Sequence, residues 1–314
     1  MKIKPGISNI LWMAAGAVLL LIIMLAVLHF HTKQTPDEEL ASKARRLDLV
    51  EQMRFNLSSA AEAEKSAVMA ITDKDSQTYA DEARVATAQV EQGRKQMGDL
   101  LATDGTAAEK DSLAQFTKAF AEFQHIDNDL LALAVSNTNL KAYSLAFGPA
   151  ADALNEMDTA LSHLVTDNAA SPDARNIAVL AFGAQTAALR IQALLAPHIA
   201  EESDAKMDAL EAQMSKHDQE VHKDLDGLAP LVKPDDAHNL ETAVSSYTRF
   251  SGIRTQILVL SRENTNVRSL AISLNEKRKV TLSCQDALSA LQQAIKDEPI
   301  DGADYHLPTN PRQM

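Results

Sequence analysis

A five-residue stretch occurs twice in the chain, first as Asn137-Thr138-Asn139-Leu140-Lys141 and again as Asn264-Thr265-Asn266-Val267-Arg268. The two copies are 127 positions apart, and other residues match at the same offset without a gap. The matching pairs are Asp81 and Asp208, Leu113 and Leu240, Phe120 and Tyr247, Phe123 and Phe250, Leu131 and Leu258, and Leu133 and Leu260. A fixed period of this length indicates that one supersecondary unit is used twice. Chance similarity between two Ala- and Leu-rich amphipathic helices is the alternative, and the Asn-Thr-Asn identity argues against it.

The composition favours helices packed closely side by side. Apolar residues make up 46% of the 314-residue chain, aromatic residues make up only 4%, and there are 10 glycines and 10 prolines. This balance is typical of Ala-rich helices rather than of a sheet. The net charge of −13 counts against nucleic acid as a partner, because phosphate binding requires a concentrated basic face. Cys284 is the only cysteine, so no intrachain disulfide forms, and we expect a buried structural thiol.

An uncharged segment near the amino terminus predicts a membrane anchor. Its apolar core, Ile10–Leu28, has 19 residues, and this corresponds to about 28 Å of helix, which is enough to cross a bilayer. A cleaved secretory signal is the alternative, but its apolar region would be shorter, and no small-x-small cleavage site follows Leu28. Basic residues flank both ends of the segment, so the charge distribution does not fix its orientation.

Helix start signals divide the rest of the chain. Thr35-Pro36-Asp37 and Ser171-Pro172-Asp173 each combine a hydroxyl N-cap, a proline and an acidic residue. Together with three-four spacing of apolar residues, they predict an all-α protein in which two four-helix bundles follow the transmembrane helix, either in tandem or with shared long helices. Gly148-Pro149 predicts a kink in the fourth helix. The predicted regions are 1–34 for the tail and anchor, 35–170 and 171–297 for the bundles, and 298–314 for a flexible tail.

Arginines on the first helix of each bundle are candidate ligand contacts. The predicted apolar face of the first helix comprises Leu47, Val50, Arg54, Leu57, Ala61, Glu64, Val68 and Ile71. A guanidinium on that face needs either a protein carboxylate or an anionic ligand, and both alternatives are open for Arg54. Arg190 flanks the corresponding face of the second bundle. Tyr143 and Phe147, beside the predicted kink, either pack in the core or line a small pocket.

The remaining polar residues favour structural roles. Asn137, Thr138, Asn139, Asn264, Thr265 and Asn266 lie between the third and fourth helices of their bundles, and we expect them to cap helix ends, with a shared binding role as the alternative. The best metal-like cluster consists of His198, His217, His222, Glu201, Glu202 and Glu220. The paired Glu-x-x-His motifs of di-iron bundles are absent. We therefore interpret this cluster as a solvated charged face and predict no metal, no cofactor and no catalytic site.

Eight predicted helices, an amino-terminal anchor and Ala-rich faces together resemble the periplasmic four-helix-bundle sensor module of methyl-accepting chemotaxis receptors, used twice. Thr35–Lys296 is also similar in size to helical bimodular sensor domains and to the sensor domain of the trimethylamine-oxide histidine kinase. The resemblance implies a single pass through a bacterial inner membrane, with the bulk of the chain in the periplasm. It also implies that arginines on the first helix bind carboxylates. One departure is that Pro299 and a polar tail follow the last helix, where the family has a second membrane segment.

Two functional hypotheses follow. In the first, the protein is a membrane-anchored periplasmic sensor that recognises a small anion or a protein partner and acts through another membrane protein or as a homodimer. In the second, it is a structural or scaffold subunit of a membrane complex and binds no small molecule. The sequence contains no kinase, methylation or nucleotide-binding motif, so signal output requires a partner under the first hypothesis.

Overall fold

The computed structural model describes residues 36–299. The predicted anchor Ile10–Leu28 and all but the first two residues of the predicted tail lie outside this range. Within it the chain is all-α, as predicted, and has no strand. The helices are α1 Pro36–Met69, α2 Asp73–Asp104, α3 Ala107–Ser136, α4 Thr138–Phe147, α5 Pro149–Asp167, α6 Ala174–Ala200, α7 Asp204–Leu228, α8 Ala237–Glu263, α9 Thr265–Ile272 and α10 Arg278–Asp297. A 3-10 turn, Pro234–Asp236, precedes α8, and a π-helical segment, Ser273–Lys277, joins α9 to α10.

The sequence repeat is visible in the order of the helices. Three long helices, α1–α3, precede the interrupted pair α4 and α5, and α6–α8 precede α9, the π segment and α10. The first interruption falls at Gly148, whose φ of −108° and ψ of −101° end α4, and Pro149 then begins α5. The predicted kink at this site is confirmed. The second interruption contains Asn275, which is the counterpart of Gly148 at the 127-residue offset.

One apolar core joins α4–α8. Its fully buried members on α4, α5 and α6 include many alanines, whereas α8 contributes the aromatic residues Tyr247 and Phe250. Alanine side chains let helices approach closely, and the larger side chains fill the remaining space. Other buried members are Leu154, Met157, Leu161, Leu164, Ile177, Ile191, Leu195, Met214, Val221, Leu225, Leu228 and Ile257.

This core groups the helices differently from the predicted bundles at 35–170 and 171–297. The apolar faces of α4 and α5 pack with α6, α7 and α8, so the helices on both sides of the predicted boundary at residue 170 share one core. The chain divides instead into two compact units. The smaller unit comprises the described parts of Met1–Phe55 and Gln285–Met314 together with Val90–Thr117, and the larger unit comprises Asn56–Gln89 and Lys118–Cys284. Helices α1, α2, α3 and α10 each contribute residues to both units, so long helices are shared.

A second apolar cluster in the larger unit joins α1, α2 and α3. Its buried members are Ala67, Val68, Ala80, Ala83, Leu130, Leu131 and Ala134. The buried Ser76 hydroxyl on α2 lies 3.1 Å from the carbonyl oxygen of Ala67 and 3.0 Å from that of Ala134. One polar side chain therefore links the ends of α1 and α3.

The buried face of α1 is rotated from the predicted one. Its buried residues are Arg46, Leu49, Val50, Met53, Leu57, Ala60, Glu64, Ala67 and Val68. Leu47, Arg54 and Ala61 are only half-buried, and Ile71 is 81% exposed. The prediction was wrong at these positions because α1 has alanines on both faces, so its hydrophobic periodicity is weak.

Helix α6 is the one described helix that is long and apolar enough to cross a bilayer by length and composition. One of its faces, including Ile177, Ala184 and Ile191, lies in the core shared with α4, α5, α7 and α8. Core helices of soluble proteins meet the same criterion, so α6 adds no test of the predicted anchor.

Candidate functional site

The two Asn-Thr-Asn triplets lie at breaks between helices in the larger unit. Asn137 separates α3 from α4, and Asn264 separates α8 from α9. Both have left-handed backbone conformations, with φ of 50° and 54°, which asparagine tolerates better than most residues. Neither side chain caps the helix that follows it, because capping requires an extended backbone at that position. Neither asparagine therefore caps a helix of its own copy in the ordinary N-cap geometry.

The triplets cap each other's helices instead. The backbone N–H of Thr138 donates to Thr265 Oγ1 at 3.1 Å, and the N–H of Thr265 donates to Thr138 Oγ1 at 3.1 Å. Asn139 and Asn266 repeat this exchange, since each N–H donates to the other residue's Oδ1, at 3.2 and 3.1 Å. The first N–H groups of α4 are thus satisfied by the start of α9, and those of α9 by the start of α4.

The same junction holds the carboxyl end of α6. Asn139 Nδ2 donates to the carbonyl of Ile199 at 2.6 Å, and Asn264 Nδ2 donates to that of Glu201 at 2.8 Å. Asn137 differs from Asn264, because its Nδ2 is buried without a hydrogen-bond partner among the described residues. Only Asn137 Oδ1 is used, accepting from Asn266 Nδ2 at 3.0 Å. Asn139 Nδ2 likewise donates to Asn264 Oδ1 at 2.8 Å, so the contacts between the triplets are symmetric and only their contacts with the end of α6 differ.

His198 is fully buried beside this junction, so its assignment to a solvated charged face was wrong. Its Nδ1 lies 2.8 Å from Ser261 Oγ, and its Nε2 lies 2.9 Å from Glu211 Oε1. Glu211 also accepts from Arg262 Nε at 2.9 Å. The hydrogen bond from Arg262, and then the one from His198, hold the pKa of Glu211 below its usual value, against the opposing effect of burial. The group is a structural clamp between α6, α7 and α8.

The other residues of the predicted metal-like cluster are dispersed. His217 Nδ1 lies 2.8 Å from Glu220 Oε2, and Glu201 Oε1 accepts from the N–H groups of Glu202 and Ser203. Within residues 36–299, no group of three or more His, Cys, Asp or Glu side chains is arranged to hold a metal ion. Cys284, the single cysteine, is buried as expected, and burial raises the pKa of its thiol to about 12.

Arg54 lies at the edge of the α1 apolar face, with 31% of its side chain exposed. Its guanidinium donates to Ser289 Oγ and, at 3.2 Å, to Gln292 Oε1. The nearest carboxylate is Glu51, at 3.7 Å on the same helix. Arg54 is therefore compensated mainly by neutral groups rather than by the protein carboxylate that was one of its two predicted partners.

Arg46 is the buried arginine of α1, and the sequence prediction missed it. Its Nη1 donates to Glu109 Oε1 at 2.7 Å and its Nη2 to Glu298 Oε2 at 2.5 Å. Glu109 also forms a capping box with Thr106, since each backbone N–H donates to the other residue's side chain, at 2.7 and 3.2 Å. Lys43 Nζ donates to the carbonyl of Glu298 at 2.6 Å. Glu298, which was predicted to begin a flexible tail, is therefore fixed to α1.

Arg190 lines an open groove between α6 and α7. The groove is formed by Phe182, Gly183, Thr186, Ala187, Arg190, Glu220, Lys223 and Asp224. Arg190 and Lys223 are exposed, and Glu220 is already engaged by His217. The Asp224 carboxylate occupies the space that a Cβ at residue 183 would need, and burial raises the pKa of Asp224. Two cationic side chains thus share the groove with two carboxylates: His217, and to a smaller extent Arg190, lower the pKa of Glu220, whereas burial disfavours the ionisation of Asp224.

Tyr143 and Phe147 do not line this groove. Their rings stack with centroids 5.7 Å apart, but Phe147 is 59% exposed and Tyr143 is 36% exposed. Beyond the junction residues Thr138 and Asn139, the buried residues of α4 are the small ones, Ala142 and Ala146, because α4 packs closely against α8. The two aromatic residues therefore do not pack in the core, which was one of their two predicted roles.

Comparison with known proteins identifies the architecture. Residues 6–174, more than half of the chain, match the family described as a four helix bundle sensory module for signal transduction. The matched segment ends where α6 begins, so it covers the predicted anchor and the first copy of the repeat. No curated protein matches the chain. The family is a sensory module rather than a catalytic domain. The chain therefore belongs to the four-helix-bundle sensory modules of signal transduction, the family of chemotaxis-receptor modules that its sequence resembles.

Proposed function

We propose that this protein is a membrane-anchored, periplasmic sensor that recognises a small anion and passes the signal to another membrane protein or to a second copy of itself. Family membership supports the sensory role, and Ile10–Leu28 supports the anchor by its length and composition. Within the smaller unit, Arg46 and Lys43 fix the carboxyl end of α10 to α1. Because α1 follows the predicted anchor, this contact offers a route from α10 to the membrane segment.

The observation that best supports anion recognition is the exposed guanidinium of Arg190. Its guanidinium is exposed in the α6–α7 groove and forms no ion pair with another described residue, and Lys223 lines the same groove. Guanidinium and ammonium groups are the usual partners of carboxylates and phosphates in proteins. Arg54 supports a site less well, because Ser289 and Gln292 already occupy its donors.

A melting-shift screen of small carboxylates and phosphates tests this site. A ligand that binds only the native state raises the melting temperature, and the rise depends on its concentration. We expect at least one anion to raise the melting temperature of the full chain, and the double variant Arg190→Gln/Lys223→Gln to lose that rise. Arg84→Gln, which changes an exposed arginine paired with Asp81, should keep it. If the anion raised the melting temperature of Arg190→Gln/Lys223→Gln as much as that of Arg84→Gln, the groove would be excluded as the binding site.

The periplasmic location has a separate test. A reporter that fluoresces only in the cytoplasm, fused after Met314, should stay dark if the bulk of the chain is translocated. A bright fusion would overturn the proposed topology without affecting the anion test, which uses purified protein.

The scaffold hypothesis has one observation in its favour. Val179, Phe182 and Leu189 lie on a single face of α6, and each is more than half exposed, at 64%, 55% and 56%. Their spacing of three and seven is that of helix-packing residues. A melting screen in which no anion acts, together with loss of a co-purifying membrane protein in a Phe182→Ser variant, would favour a scaffold subunit.

A further inference from the structure

A buried charged cluster lies against the π segment in the larger unit. Its members are Glu64 on α1, Asp127 on α3 and Lys277 at the end of the π segment. Their exposed fractions are only 1%, 2% and 1%. Three ionisable groups sealed from water in this way require mutual compensation, because burial disfavours every charged form.

Lys277 and Asp127 form a complete pair. Lys277 Nζ donates to Asp127 Oδ1, lies 3.4 Å from the carbonyl oxygen of Phe123, and sits over the Phe123 ring at 3.1 Å from its centroid. Thr87 Oγ1 approaches the other Asp127 oxygen at 3.5 Å. One positive and one negative charge therefore cancel within hydrogen-bond distance, and both charges have further polar or aromatic neighbours.

Glu64 is the surplus group. Both of its carboxylate oxygens are buried without a hydrogen-bond partner among the described residues. Burial raises the pKa of Glu64, and Asp127 raises it further, while the Ser273 hydroxyl, Lys277 and Lys65 on the same helix oppose the rise. These four residues are the polar and charged groups that act on it from α1, α3 and the π segment. A neutral Glu64 leaves the cluster electrically balanced, whereas an ionised one adds a second negative charge that a single ammonium does not balance.

The cluster also borders both ends of the π segment. Ser273, the first π residue, approaches Glu64, and Lys277, the last one, pairs with Asp127. A single π turn contains one residue more than the α-helical register and is costly unless its surroundings favour it. The π segment is thus fastened at its last residue by an ion pair inside the cluster, and its first residue faces the unpaired carboxyl group of Glu64.

We propose that Glu64 is a proton-binding site through which this sensor module responds to pH. In the protonated form, the Glu64 carboxyl group is neutral, Lys277 stays on Asp127, and the π segment keeps its observed form. Loss of the proton creates a carboxylate that competes with Asp127 for Lys277. This competition releases the fixed end of the π segment and loosens Ser273–Lys277. The site is separate from the Arg190 groove, so the response to protons does not require the proposed anion.

Hydrogen exchange of the full chain, purified in detergent, tests the proposal. Backbone protection of Ser273–Lys277 is measured by mass spectrometry from acid to neutral pH, after correction for the intrinsic exchange rates. In the wild type, protection should fall as pH rises from 4.5 through the folded-state pKa of Glu64, by up to about tenfold per pH unit, because one proton is linked to the opening. Glu64→Gln, which mimics the neutral carboxyl group, should keep this segment protected throughout. Glu62→Gln, a change at an exposed position of the same helix, should behave like the wild type.

A second measurement does not depend on a variant's folding. The carboxyl carbon of Glu64, followed by NMR in the wild-type chain, should titrate above the ordinary value of 4.5. A titration at or below that value would overturn the proposal. The same protection profile in the wild type and Glu64→Gln would overturn it equally.

Discussion

The hydroxyl oxygens of Thr138 and Thr265 lie 3.2 Å apart, although 127 positions separate the two residues in the sequence. Each hydroxyl also accepts the backbone N–H of the other residue, at 3.1 Å in both directions. The two copies of the repeat therefore interact directly. Side chains of each copy accept backbone N–H groups in the first turn of a helix of the other copy. This mutual capping fixes the relation of α4 to α9 within the larger unit.

A double-mutant cycle on Thr138 and Thr265 measures this coupling. Thr265→Val removes the acceptor of the Thr138 N–H, and an unsatisfied buried donor costs about 1 to 3 kcal/mol of unfolding free energy. Thr138→Val should cost a similar amount. Both single variants lose the shared hydroxyl hydrogen bond, so the double variant should lose less than the two losses added together. Denaturant unfolding of the full chain gives these values. Thr255→Val is the control, because the exposed Thr255 hydroxyl forms its hydrogen bond within its own helix. If the losses of the two single variants simply added up in the double variant, the coupling would be contradicted.

An excised second repeat should fold poorly for the same reason. A fragment of residues 171–297 lacks Thr138 and Asn139, which accept N–H groups of α9. It also lacks α4 and α5, which fill the core shared with α6, α7 and α8. We expect broad, non-cooperative thermal unfolding of this fragment by circular dichroism. A fragment of residues 138–263 keeps that core and should melt more cooperatively, and the opposite ranking would support independent bundles at 35–170 and 171–297.

The helices were predictable from the sequence, but the faces they bury were less so. Proline and acidic start signals predicted the beginning of α1, and Gly148-Pro149 predicted the break after α4. On α1, Val50 is four residues from both Arg46 and Arg54, so three-four spacing allowed either arginine on the buried face. In the structure, Met53 and Ala60 are buried and Leu47 and Ala61 are not, and this places Arg46 on the buried face. The sequence could not show it, because α1 has alanines on both faces and the two faces therefore differ little in hydrophobicity.

For the junction of the two Asn-Thr-Asn triplets, the sequence predicted which residues matter but not which residues they contact. The repeated Asn-Thr-Asn triplet was recognised as important, yet local sequence gave no sign that Thr138 would meet Thr265, because that contact depends on how helices distant in sequence come together. Tyr143 and Phe147 were misplaced for a related reason. Hydrophobicity favours burial of the aromatic residues, whereas the close approach of α4 to α8 requires Ala142 and Ala146 on the inner face.

Arg46 should be essential for stability in a way that exposed arginines are not. Arg46→Leu leaves the fully buried Glu109 carboxylate without its guanidinium partner, and breaking a buried pair from one side costs about 3 to 5 kcal/mol. The loss should appear as a lower denaturant midpoint with an unchanged slope. Arg84→Gln removes an exposed pair with Asp81 and should change the free energy of unfolding by less than about 1 kcal/mol. Similar effects of the two variants would show that Arg46 is not tightly paired.

The Glu211 clamp predicts a loss of stability in acid. Its folded-state pKa is lowered, first by Arg262 and then by His198, so its stabilising contribution is present above the unfolded value of 4.5 and disappears as pH falls through the lower folded-state value. The difference in unfolding free energy between the wild type and Glu211→Gln should therefore shrink as pH falls below 4.5. Denaturant titrations at several pH values measure it. Glu82→Gln, at an exposed position of α2, should show no such convergence, and a constant difference for Glu211→Gln would contradict the clamp.

Two glycines in helix interiors should respond to alanine in opposite directions. A Cβ added at Gly252 on α8 would meet nothing within 4 Å, so Gly252→Ala should gain about 0.5 to 1 kcal/mol of stability from helix propensity alone. A Cβ at Gly93 on α2 would lie 2.7 Å from Met53 Cγ, which is fully buried on α1, so Gly93→Ala should lower stability despite the same gain in propensity. Thermal and denaturant unfolding of the two variants provides the comparison. If Gly93→Ala also stabilised the protein, Met53 would have to move freely, and the close packing of α1 on α2 in the smaller unit would be refuted.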